Sequence, residues 1–62
     1  MDVEILTIDE VAELLHTPVA TLRFWRYRGT GPRSFKAGRR VMYRKADVAA
    51  WVDAQANATP AA

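Results

Sequence analysis

From Ile8 onward, apolar side chains recur at helical spacing: Ile8, Val11, Ala12, Leu14 and Leu15, with Asp9, Glu10 and Glu13 between them. This pattern predicts a first helix over 8–15. Thr7 and Glu10 stand at the spacing of a capping box, and Leu6 and Val11 at that of a hydrophobic staple. His16-Thr17-Pro18 breaks the pattern, because a proline forces its predecessor out of the helical region while suiting a first helical turn. A second helix is expected over 18–28, with Leu22 and Trp25 on its buried face and Gly29 as its stop. Gly29-Thr30-Gly31-Pro32 reads as a turn. The period then shortens to two. Ser34-Phe35-Lys36 and Arg40-Val41-Met42-Tyr43 are expected strands, joined by a tight loop of Ala37-Gly38-Arg39. On that reading Phe35, Val41 and Tyr43 share one face, with Lys36, Arg40 and Met42 on the other. A third helix is expected over 45–55, with Val48, Trp51 and Val52 as its apolar stripe and Asp47 at its positive end.

The order is helix, turn, helix, two-stranded wing, helix. That is a small winged helix-turn-helix, mainly α with one β-hairpin. It forms one domain over 1–55; residues 56–62, which contain Pro60 and no apolar stripe, are expected to be a disordered tail. With 62 residues, half of them apolar, the chain has room for one small core. The absence of cysteine removes disulfides and thiolate zinc sites and suits a reducing cytoplasm. His16, the single histidine, cannot build a metal site alone. No apolar run approaches the ~20 residues of a membrane span. No nucleophile–base pair and no phosphate-cradling glycine loop is present, so neither catalysis nor a cofactor is expected.

Charge changes the picture most. The formal net charge is only +2, yet all nine lysines and arginines lie between Arg23 and Lys45, and all seven acids lie outside the unbroken cationic run from Arg23 to Lys45. A concentrated cationic surface is the footprint of a polyanion binder. In a helix-turn-helix, the start of the second helix meets base edges. Here that start is Val19, Ala20 and Thr21, small side chains that can touch a thymine methyl or admit the helix closely. Arg23 or Arg26 would read guanine. Phe24 stands equally for a core residue and for an exposed one that touches thymine methyl or sugar. Tyr27 stands equally for a phosphate donor and a helix-end residue. On the wing, Lys36, Gly38, Arg39 and Arg40 would meet DNA, the glycine bringing the backbone close and an arginine favouring a narrow minor groove. Trp25 and Trp51 are assigned to the core by their apolar spacing. Arg44 and Lys45 place positive charge at a helix start, where it is unfavourable and where an anionic partner would compensate it.

The runs Leu14-Leu15, Thr21-Leu22-Arg23-Phe24-Trp25-Arg26, Gly29-Thr30-Gly31-Pro32, Gly38-Arg39-Arg40-Val41 and Tyr43-Arg44-Lys45-Ala46-Asp47-Val48-Ala49-Ala50-Trp51 resemble the excisionase-type, MerR-like winged helix-turn-helix. The resemblance covers 6–55 and looks most like short actinophage and actinobacterial excisionases, or recombination directionality factors. It implies double-stranded DNA as partner, with helix 2 in the major groove and the wing in the minor groove. It further implies neighbouring copies that bend the DNA, an integrase whose reaction is turned towards excision, and residence in the host cytoplasm. Many relatives have glycine where His16 stands and a serine-like cap where Arg44 stands. The effector and coiled-coil regions of true MerR regulators are not expected here. The same module also suits a small MerR-like transcriptional regulator. An interaction adaptor is disfavoured by the cationic run. With no heptad seam, the free protein is expected to be a monomer.

Overall fold

The computed structural model describes residues 4–58. Its elements are β1 (Ile5–Thr7), α1 (Ile8–Leu14), α2 (Val19–Arg28), β2 (Phe35–Ala37), β3 (Arg40–Arg44) and α3 (Lys45–Ala58). Three helices pack with a three-stranded antiparallel sheet of order β1-β3-β2, which is a winged helix-turn-helix with an additional strand at the base of the wing.

α1 starts as its sequence demands. The Thr7 hydroxyl accepts from the Glu10 amide at 3.1 Å, and the Glu10 carboxylate accepts from the Thr7 amide at 2.9 Å. Leu6 packs against the core and Val11 is wholly buried, completing the staple. α1 closes with His16 in the left-handed region, at φ 52. The Thr17 amide donates to Ala12 O at 2.9 Å and the His16 amide to Glu13 O at 3.2 Å, which is the Schellman pattern. α2 closes in the same way at Gly29: Thr30 N donates to Trp25 O at 2.8 Å and Gly29 N to Arg26 O at 3.2 Å. The two helices of the motif thus end on identical hydrogen-bond patterns, one built on glycine and one on histidine.

β1 was not expected from the sequence. Its Leu6 lies opposite Tyr43, with Ile5 opposite Arg44 and Thr7 opposite Met42. The ladder continues through the Lys45 amide, which donates to Glu4 O at 2.9 Å. β3 is therefore the central strand, and the wing is fastened to the chain's first strand instead of projecting as a free hairpin.

The hairpin register also differs from expectation. Ala37 pairs with Arg40, so the loop is only Gly38-Arg39. Gly38 has φ 65 and is the loop's one positive-φ residue, as a type II′ turn requires at its first central position. Shortening the loop by one residue slips the pairing and exchanges faces. Phe35 lies opposite Met42, and Lys36 opposite Val41. Phe35 therefore leaves the Val41–Tyr43 face, and Lys36 joins it.

The core draws on every helix and the central strand: Val11, Ala12, Leu22, Tyr43 and Val48. Leu14 and Val52, both in expected apolar stripes, are 56% and 38% exposed, because the core is too small to cover them. α3 runs on to Ala58, past its expected end, since Ala56 and Ala58 favour helix and no breaker intervenes before Pro60. The rest of the expected tail, 59–62, lies outside the described residues. At the start of α3, Arg44 donates to Asp47 through two nitrogens, at 2.8 and 3.0 Å. Lys45 Nζ sits 2.8 Å from Glu4 Oε2. Their positive charge is answered inside the protein, so it does not call for an outside anion. The Arg44 guanidinium holds the Asp47 carboxyl below the usual carboxylate range, with Arg33 adding to the effect.

Candidate nucleic-acid interface

Pro18 opens α2: its carbonyl accepts from Thr21 N at 3.0 Å and Leu22 N at 3.3 Å. Leu22 is 1% exposed and sets the helix's inward direction. Residues three or four positions away share that side. Val19 accordingly packs against the core, which corrects its expected place on the outward face. Arg26, also exposed, lies towards the sheet, and its charge reaches the buried Tyr43 phenol. Burial pushes that phenol's pKa up, and Arg26 pulls partly against the rise.

The outward stripe is formed by Ala20, Phe24 and Tyr27, with Arg23 and Arg28 on its flanks. All five are exposed, and Thr21 is half-buried beside them. Phe24 is 53% exposed and Tyr27 88%, which places both at the surface. The Arg28 guanidinium carbon lies 5.6 Å from the Phe24 ring centroid, within cation–π range. As a cation in the last turn of α2, Arg28 also suits the negative end of that helix. Its i,i+4 spacing from Phe24 was the available signal for the ring contact.

On the wing, Lys36, Gly38, Arg39 and Arg40 are all exposed. A cleft of about 270 Å³ separates α2 from the wing and is lined by Thr7, Ile8, Asp9, Arg23, Arg39, Arg40 and Val41. It brings one arginine of the helix together with two of the hairpin. Asp9 at this cleft had no place in the sequence reading. Two features hold helix and wing in this relation. One is the β1–β3 ladder. The other is Trp25, which packs on the core and meets the Trp51 ring at 5.3 Å. Both indoles are half-buried; Trp25 packs against the core as its spacing anticipated, whereas Trp51 meets Trp25 without joining the core cluster, and neither lies on the outward stripe.

Among the described residues no group of histidine and carboxylate side chains could hold a metal ion, and no helix is long and apolar enough to cross a membrane. Comparison with curated proteins gives no significant match, and neither does comparison with solved structures. A family model described as a helix-turn-helix domain matches residues 5–56, which spans every element from the first strand into the last helix. The chain belongs to this helix-turn-helix domain family, which includes excisionase-like small DNA-binding proteins.

Proposed function

We propose that the protein is a DNA-binding and DNA-bending accessory factor of site-specific recombination, of the excisionase type. It lays α2 in the major groove and the hairpin in the adjacent minor groove. Ala20, Phe24 and Tyr27 face base edges, Arg28 flanks them, and the Gly38-Arg39 wing tip follows the backbone that borders a narrow minor groove. Thr21, Arg26, Lys36, Gly38 and Arg40 support this contact along the backbone. Copies bind side by side on directly repeated sites, since a monomeric module carries no two-fold axis to match a palindrome. An integrase working on the bent DNA is the functional partner, in the cytoplasm of the host.

The observation that carries this reading is the cleft that brings Arg23, on the flank of the exposed α2 stripe, together with Arg39 and Arg40 of the wing. A helix and a wing on the same side can engage two neighbouring grooves at once. The family's excisionase-like members support the recombination role. The test is selection of bound duplexes from a random pool, followed by gel shifts with the selected site moved along a fragment. Mobility that depends on site position, together with sites that map beside an integrase attachment region, is expected. Tight binding without position-dependent mobility, at promoter sites, would replace this role with that of a small transcriptional regulator.

A further inference from the structure

We propose that Arg23, Arg39 and Arg40 act as one clamp on a single DNA phosphodiester, with Asp9 as a built-in opposing charge that limits its grip. The inference rests on the DNA-binding reading above and adds to it a specific anion site.

Three arginines and one carboxylate line the same cleft of about 270 Å³. Arg23 comes from α2, Arg39 and Arg40 from the hairpin, and Asp9 from the first turn of α1. Both ion pairs of the described residues form elsewhere, between Arg44 and Asp47 and between Lys45 and Glu4. The cleft therefore carries a net positive charge, three guanidinium groups against the one carboxylate of Asp9. Arginine's planar fork matches the non-bridging oxygens of a phosphate. At a liquid volume of about 30 Å³ per water, the space holds a phosphate group and several waters. The location selects the ligand. A strand of backbone separates the major groove from the minor groove, and a protein that engages both must pass that strand between helix and wing. The cleft is the gap between helix and wing. Arg23 then serves the backbone, and base reading falls to the outward stripe. Asp9 repels the same phosphate and lowers affinity uniformly across sequences, which keeps sequence-independent binding weak relative to sites that satisfy the stripe.

The experiment uses the full chain and a short duplex enriched by it from a random pool, with phosphates replaced singly by uncharged methylphosphonates. On the wild-type protein, one internal position is expected to cost about tenfold in affinity, as loss of a charge-assisted contact should. At that position, Arg23→Ala and Arg39→Ala are expected to cause little further loss, although each weakens binding about tenfold on unmodified DNA. Asp9→Asn is expected to bind several-fold tighter at low salt, with the gain fading as salt screens it. Circular dichroism of each variant confirms the fold. Coupling of Arg23 and Arg39 to two different phosphates, or to none, would overturn the clamp. An Asp9→Asn variant that binds no better than wild type would overturn the opposing charge. If the wild-type chain enriches no duplex at all, the DNA-binding reading falls with the clamp. If it enriches one and the coupling is missing, only the clamp falls.

Discussion

Trp25 of α2 and Trp51 of α3 meet with ring centroids 5.3 Å apart and planes tilted by 42°. This pair ties the helix that faces outward to the helix that follows the wing, beside the core that Leu22 and Val48 share. Both indoles are half-buried, so truncating Trp51 forfeits less than full burial of a tryptophan would supply. Trp51→Ala is expected to cost about 2 kcal/mol, below the 3–5 typical of a buried aromatic. A domain of this size has only a few kcal/mol to lose, so the variant should melt well below the wild type. Thermal unfolding followed by circular dichroism checks this, and an unchanged melting temperature would contradict it.

Gly31 is the other guardian of that contact. A Cβ there would stand 3.0 Å from both Cβ and Cε3 of Trp25, and its φ of 77 is left-handed. Gly31→Ala therefore combines backbone strain with overpacking and is expected to destabilise by about 2 kcal/mol or more. Gly38→Ala meets nothing within 4 Å and should cost about 1 kcal/mol, from φ alone. Chemical denaturation of both variants gives the ranking, and equal losses would contradict it.

His16 offers the reverse case. It is exposed and held at φ 52, where a side chain costs about 1–2 kcal/mol. Glycine relieves that strain and gives back about 0.5–1 kcal/mol in chain entropy. His16→Gly is thus expected to stabilise by about 0.5–1 kcal/mol, while His16→Ala, which keeps the strain, should not stabilise. Glycine is the residue that the backbone at this position asks for.

Stability should also fall at high pH through Tyr43. Burial raises its pKa above the ordinary 10.0, so the folded state keeps the proton over a range where the unfolded chain has lost it. Stability from this group is intact below pH 10.0 and declines as pH rises past that value towards the folded pKa. Urea midpoints between neutral and strongly alkaline pH, compared with those of Tyr43→Phe, isolate it. The Phe variant should show the shallower alkaline decline.

Salt dependence counts the phosphates engaged, since each contributes about 0.9 to the log–log slope. A phosphate shared by three arginines counts once. With Arg26 and Lys36 each added on a separate phosphate, three are engaged and a slope of about −3 is expected. Affinity measured by fluorescence anisotropy across salt concentrations checks it. A slope near zero would remove the backbone as the source of affinity.

What the sequence made legible was local. Thr7 and Glu10 specify a capping box within one turn, Leu22 and Trp25 specify a buried face within one helix, and Gly29 specifies a stop. β1 was hidden because three residues carry no period and its partner lies far along the chain. The faces of Phe35 and Lys36 were misread because strand register hangs on a single residue of loop length, and Ala37 gives no local sign of pairing. At the interface, the identity of the outward stripe followed from counting inward from Leu22, which moved Val19 to the core side and Arg28 to the outside. The cleft that joins Arg23 to Arg39 was beyond sequence reasoning, because it depends on how β1 seats the wing against α2.

β3 passes into α3 with no residue between them. The wing and α3 are consequently one lever, and the tryptophan pair pins that lever's far arm to α2. Helix and hairpin sit on a closed mechanical loop, in which the tryptophan pair spans the irregular segment 29–34. If α2 and the wing engage neighbouring grooves as proposed, mismatch between groove spacing and this braced pair would fall on the DNA as curvature.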